Sequence, residues 1–224
     1  MMDEEIQPPR NFALVAAIFE GGLAVVAVGL GALLGLDPLQ SFPQTLSAGA
    51  WGVGWGLAAT LPALAAVWLC IKCPLRPFVE LVRVVDEMLL PLFRDFRLVE
   101  MAVISLLAGL GEELLFRGIL QQALADWIQG DLGVGVGLGV AAILFGLLHR
   151  ITLTYAVLAT LIGLYLGFLW IVSDYNLLVP ITAHAAYDFL VLVYMVRIRK
   201  TARRAQQTDP GDTGHGEDDQ RPTD

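Results

Sequence analysis

The sequence predicts an all-α protein, a polytopic transmembrane helical bundle of six spans with one further amphipathic helix at the membrane interface. Three observations predict it. The chain of 224 residues is 56% hydrophobic and only 16% charged, where a soluble domain carries roughly a quarter charged residues. Its charges cluster at the ends and in one central loop. Between them run apolar stretches near the ~20 residues that a helix needs to cross a bilayer. Inside lipid the backbone must satisfy its own hydrogen bonds, which leaves helices or closed barrels. These runs lack the alternation of barrel strands, so they are read as helices.

The first run, Phe12 to Leu36, is longer than a signal-peptide core and ends in no small-residue cleavage site, which predicts a retained span. The others are Ala48 to Ile71, Leu98 to Trp127, Leu132 to His149, Thr152 to Val172 and Leu177 to Ile198. Lysine and arginine set the orientation. Lys72, Arg76, Arg83, Arg94 and Arg97 share one loop, and Arg197, Arg199, Lys200, Arg203 and Arg204 begin the tail. The loops 37–47, 129–131 and 173–176 carry no lysine or arginine. With six spans, every positive segment, including Arg10, falls on the side of both termini. This predicts an integral protein of the cell membrane with both termini cytosolic.

The expected domains are a cytosolic segment 1–10, a membrane domain 11–198 and a polar tail 199–224. In the loop 73–97, Phe78, Leu81, Val82, Val85 and Leu89 recur at helical spacing, with Glu80, Arg83 and Glu87 opposite. That is an interfacial helix, bounded by Pro74, Pro77 and Pro91. Gly133, Gly135, Gly137 and Gly139 follow no strand and form no nucleotide fingerprint. With Gly163 and Gly167 they are read as close-packing positions between membrane helices. The tail is too polar to bury a core and is expected to be disordered, with His215 solvated in it. Net charge is −8 with no basic stripe, which excludes nucleic acid as a partner. Cys70 and Cys73 form a lone Cys-x-x-Cys with no second pair to complete a zinc site, and are read as incidental thiols.

Ionisable groups inside a bilayer cost a few kcal/mol each on insertion scales and mark functional sites. The third span holds Gly-Glu-Glu-Leu-Leu-Phe-Arg at 111–117, the fourth ends Phe145-Gly-Leu-Leu-His149-Arg, and the sixth holds His184-Ala-Ala-Tyr-Asp188. Glu113 and Arg117, four apart, share a face and can pair. Glu112 is turned about 100° away and keeps no local partner. A carboxylate in such a place suits a general base. His184 and Asp188 also share a face and can hold a water, a metal or a substrate carbonyl. Glu112 and His184 lie equally deep, about 21 Å from the cytosolic ends of their helices at ~1.5 Å per residue. His149 falls at the end of its span. It reaches that depth only if its helix is tilted or broken, or if a water-filled cavity extends inward. Glu20 is expected to line the cavity or to pair with Arg117. Asp126 and Asp131 read as solvated near the outer boundary, and Arg150 as an interfacial anchor.

In that order, Glu-Glu-xxx-Arg (Glu112, Glu113, Arg117), Phe-xxx-His (Phe145, His149) and His-xxx-Asp (His184, Asp188) resemble the motifs of the CPBP family. That family comprises CAAX prenyl endopeptidases and bacteriocin-processing, ABI-type membrane proteins, and the resemblance covers about residues 99–193. It implies an intramembrane endopeptidase acting on a peptide or membrane-protein substrate in the lipid bilayer. By this resemblance Glu112 activates water, Glu113 with Arg117 supports it, and His149 helps hold the water or a metal. His184 with Asp188 stabilises the oxyanion. The family's prenyl-protein proteases usually have Asn where this chain has Asp188. A charged Asp would repel an oxyanion, so it would instead orient His184 or help hold a metal, which puts the prenylated substrate class in question. A divalent metal, Zn2+ if any, would take His149, His184 and Glu112, although a metal-free glutamate mechanism uses the same residues. Two other readings are a silent relative serving as membrane scaffold or immunity protein, and a transporter. The transporter is disfavoured because the Glu-Glu-xxx-Arg motif has no counterpart in the other half of the chain.

Overall fold

In a computed structural model the chain is described over residues 11–199, and every regular element there is helical. The expected segment 1–10 and the tail from residue 200, with His215, lie outside the described residues. Helix α1 covers Phe12–Leu34 and ends in Gly35, whose φ of 70° closes the helix in the left-handed region. A short 3-10 turn, Pro38–Ser41, leads to α2, Leu46–Lys72, capped by the Thr45 side chain on the amide of Ala48. The interfacial segment forms α3, Arg76–Val84, a π turn Val85–Leu89, and α4, Leu90–Phe93. Then follow α5, Leu98–Glu113, a π segment Leu114–Gln121, and α6, Gln122–Ile128, as one unbroken helical run. The last three helices are α7, Gly130–Leu148, α8, Leu153–Val172, and α9, Leu178–Val193, which runs on through a π turn, Tyr194–Arg199.

Among the described residues five helices are long and apolar enough to cross a membrane: α1, α2, α7, α8 and the run Leu178–Arg199. The remaining expected span is the run 98–128. It is long enough, but it carries Glu112, Glu113 and Arg117 in its middle. Large apolar side chains lie exposed on the outside, such as Leu33 at 82% and Leu61 at 67%. In water this would be an aggregation surface, and a bilayer is what covers it. The chain is an integral membrane protein with an all-α, polytopic helical bundle.

The interfacial segment is amphipathic as expected: Leu81 is buried, Phe78, Val82, Val85 and Leu89 are half-buried, and Glu80, Arg83 and Glu87 are exposed. The prolines bound it less tightly than their position implied. Pro77 lies in the first turn of α3 and Pro91 in the first turn of α4. The π turn before α4 lets the chain continue, because Pro91 falls where no amide is required.

Helix α9 packs between α2 and α5, α1 lies against α5, and α8 pairs with α7. Two antiparallel hairpins set the register. The chain reverses at Gln129, so Gly133 faces the carbonyl of Ala125 and Gly137 that of Gln121. Gly135 and Gly139, on the far face of α7, meet nothing. The second reversal, after Leu148, brings Gly163 against Ala142 and Gly167 against Leu138. Helix α7 is therefore much shorter than the run 98–128 beside it. Its tip stops level with the middle of that run. This removes the conflict over His149: the short hairpin α7–α8 carries it to the depth of Glu112.

Candidate functional site

Glu112 and Glu113 close α5, and what surrounds them depends on two glycines just before them. A Cβ on Gly109 would lie 2.9 Å from the carbonyl oxygen of Ile181 and 3.0 Å from Ala185 on α9. A Cβ on Gly111 would run into the carbonyl of Glu20 on α1. With no side chain at either position, both neighbouring helices cross α5 at backbone contact. This places His184 on one side of the glutamate pair and Glu20 on the other.

Glu113 and Arg117 are sealed, with side-chain exposures of 0% and 1%. Arg117 donates through Nη1 to Glu113 Oε1 at 2.8 Å and through Nη2 to the carbonyl of Gly163 at 2.7 Å. Its guanidinium also lies 5.3 Å from the centre of the Phe145 ring. The expected pair is thus made, and it has a further member. His184 Nδ1 lies 2.8 Å from the same Oε1 of Glu113. Sequence spacing linked His184 only to Asp188. It is Glu113, from another helix, that orients the imidazole through Nδ1. Asp188 Oδ2 lies 3.4 Å from the opposite nitrogen, Nε2.

His149 caps α7. Its Nδ1 is 2.8 Å from the carbonyl oxygen of Phe145. A carbonyl accepts only, so Nδ1 carries a hydrogen and Nε2 is the ring nitrogen that faces the site. The Phe145 ring stacks on His149 with centroids 4.4 Å apart and meets His184 edge-on at 6.0 Å. The spacing Phe-xxx-His therefore has a local cause: the phenylalanine supplies both the acceptor and the flat face that hold the ring.

Both Nε2 atoms point at Glu112. Its Oε2 lies 3.7 Å from His149 Nε2 and 4.0 Å from His184 Nε2, and has no hydrogen-bond partner. These gaps exceed a direct hydrogen bond. They suit one small polar group touching all three atoms. Asp188, with its side chain 36% exposed, and His149 at 28% form the open edge, while His184 at 5% lies behind.

The structure thus brings together all six residues singled out from sequence: Glu112, Glu113, Arg117, His149, His184 and Asp188. The expected alternative of Glu20 pairing with Arg117 is not seen: Arg117 bonds Glu113 and Gly163 through its Nη atoms, and its Nε has no hydrogen-bond partner. Glu20 instead lies within electrostatic range of Asp188, His184 and Glu112, and its Oε2 has no hydrogen-bond partner. Tyr155 is a neighbour that sequence reasoning missed. Its ring meets His149 edge-on at 6.4 Å, and it lies in the field of Asp188 and Glu112. Only its place just past the α7–α8 turn hinted at this. Asp126 accepts from Gln122 at 2.8 Å, well away from the cluster.

For a metal, the donor chemistry fits. Two imidazoles present Nε2 with Nδ1 anchored on an acceptor, the usual outer-sphere support of ligating histidines. The spacing is looser. Among the described residues no three His, Cys, Asp or Glu groups are already gathered for an ion. Donors around a tetrahedral ion stand about 3.4 Å apart at ~2.1 Å bonds, a few tenths closer than these.

Residues 94–190 match the family model Rce1-like, described as Type II CAAX prenyl endopeptidase Rce1-like. The matched stretch contains every residue of the cluster except Glu20, and agrees with the family that the three motifs resemble. No curated protein and no solved structure matches the chain.

Proposed function

We propose that this chain is an intramembrane endopeptidase in which Glu112 activates a water for attack on a peptide carbonyl. The observation that carries the reading is the convergence of Glu112 Oε2 with the Nε2 atoms of His149 and His184, at 3.7 and 4.0 Å. The Rce1-like match supports the reaction class.

The geometry supports a role for each residue. A water between these atoms donates to Glu112 and to the free nitrogen of His149, leaving an oxygen lone pair for the substrate carbonyl. As the C–O bond forms, Glu112 takes the proton and negative charge moves to the carbonyl oxygen. His184 has carboxylates at both nitrogens, so both N–H groups find acceptors when the ring is an imidazolium. In that form its Nε2–H donates to the oxyanion. Collapse breaks the C–N bond, and the proton on Glu112 passes to the leaving amine. Glu113 and Arg117 touch no reacting atom; they position His184. Asp188 lies beside the same Nε2 and competes with the oxyanion for it, unlike the Asn usual in prenyl-protein proteases of the family.

A divalent ion such as Zn2+, if bound, would be held by Glu112, His149 and His184 and would act as a Lewis acid toward water and carbonyl. The lysine- and arginine-rich segments support a reading with both termini in the cytosol of a cell membrane. The site then lies about 21 Å along α5 from Leu98 at ~1.5 Å per residue, reached from the cytosol or laterally.

The test is cleavage of membrane peptides by the purified full chain in liposomes, with and without chelator. Wild type should cleave. Glu112→Ala and His149→Ala should lose at least about a hundredfold in kcat while keeping the wild-type melting profile. Cleavage that survives Glu112→Ala would refute the assignment. A well-folded wild type that cleaves nothing across a broad set would favour the scaffold reading.

A further inference from the structure

Gln121 is 2% exposed, and none of the three motifs contains it. It stands four residues past Arg117, at the end of the π segment Leu114–Gln121. Its Nε2 donates to the carbonyl of Gly167 at 3.4 Å, one turn along α8 from the Gly163 carbonyl that takes Arg117 Nη2. The two side chains therefore share one face of the run and lie side by side against α8. The fit is close: a Cβ on Gly167 would come within 2.6 Å of Gln121 Oε1.

Two buried atoms on this face have no hydrogen-bond partner among the described residues, Arg117 Nε and Gln121 Oε1. The first only donates and the second only accepts. In the planar guanidinium Nε–H shares an edge with Nη2, the nitrogen bonded to α8, whereas Glu113 is met through Nη1. Glu113 Oε2, the remaining atom of this row without a partner, belongs to that other side. A buried donor or acceptor left unbonded inside a membrane is costly. A single water relieves both, because buried water settles where polar groups have no other partner.

We propose that a buried water bridges Arg117 Nε and Gln121 Oε1, accepting from the first and donating to the second. Resting on the peptidase reading above, Gln121 is then a positioning residue for His184. Gln121, the water, Arg117, Glu113 and His184 Nδ1 form one hydrogen-bonded line that runs from α8 to the imidazole. The bridge fixes the plane of the guanidinium, the guanidinium fixes Glu113 Oε1, and Oε1 fixes the ring. Gln121 touches no reacting atom.

The test uses the full chain with isotope-labelled arginine in micelles for nuclear magnetic resonance, and the same chain in liposomes for cleavage. The Hε signal of Arg117 is identified by its loss in Arg117→Lys. In the wild type it should show a cross-peak to water with the sign of dipolar contact rather than of exchange. Gln121→Met keeps much of the volume and removes the acceptor. The cross-peak should vanish there, and kcat should fall about tenfold with KM held within about twofold. Gln121→Glu keeps the acceptor and gives up the donor to Gly167, and should bring kcat back to within about threefold of wild type. Both variants are compared below their melting points. A wild type without the cross-peak, or a cross-peak untouched by Gln121→Met, overturns the bridge and leaves the peptidase standing. A cross-peak lost in Gln121→Met with no fall in kcat overturns the positioning role. Equal losses of kcat in the Met and Glu variants overturn it as well, since Gln121 then acts through its bond to Gly167. A wild type that cleaves nothing removes the peptidase and with it the positioning role, while the cross-peak still decides the bridge.

Discussion

Replacing Arg117 by methionine keeps much of the side chain's volume but strands Glu113, whose side chain is 0% exposed, with a charge and one remaining partner, His184. Breaking one side of a buried ion pair costs about 3–5 kcal/mol, and the bond to the carbonyl of Gly163 adds about 1 kcal/mol. The remaining contact of Glu113 with His184 offsets part of this, so Arg117→Met should cost about 3–4 kcal/mol. Glu113→Gln alone leaves the guanidinium without its counter-ion and should cost a similar amount by the same reasoning. The double variant strands no charge. It should lose only about 2 kcal/mol, which gives a coupling energy of several kcal/mol. Reversible unfolding in mixed micelles, followed by helical circular dichroism, measures all four corners of the cycle. If the double variant loses the full sum of the single losses, the pair is not coupled and the reasoning fails. A loss below about 1 kcal/mol for Arg117→Met would refute it as well.

Glu112→Gln should behave in the opposite way: kcat should fall at least about a hundredfold, while stability holds or rises, since Oε2 has no partner to lose. A melting point lowered along with activity would point to a structural role instead. Gly137→Ala pushes a methyl to within 2.5 Å of the Gln121 carbonyl, whereas Gly135→Ala on the same helix meets nothing. The first should cost about 1–3 kcal/mol, and the second should be neutral or stabilising by up to about 1 kcal/mol; thermal unfolding of the pair checks the hairpin register. Phe145→Leu removes the ring that stacks on His149 but keeps the carbonyl that anchors Nδ1. It should lower kcat by less than His149→Ala does, and equal losses would show that the ring, not the carbonyl, holds the histidine.

Much of the site was legible because its pairs are local. Glu113 with Arg117, His184 with Asp188 and Phe145 with His149 are each four residues apart, and helix geometry alone puts each pair on one face. The contacts that join the pairs run between helices distant in sequence, so no spacing encodes them. Glu113 with His184, Glu112 with both Nε2 atoms, and Arg117 with Gly163 are of this kind. The same holds for Gly109 and Gly111. Sequence marks them as small, but only the crossing partners show that each is needed at backbone contact.

The apolar runs and the charges between them determined that this is a helical membrane protein, because a bilayer leaves the backbone so few solutions. Helix spacing determined which acids and histidines stand on common faces. Tertiary structure alone decided the depth of His149, through the short α7–α8 hairpin, and the partner that orients His184. It also decided between the two places expected for Glu20, beside the site rather than paired with Arg117. Each of these depends on how far one helix slides along another, and side-chain packing across the interface sets that slide, not any periodicity within a single helix.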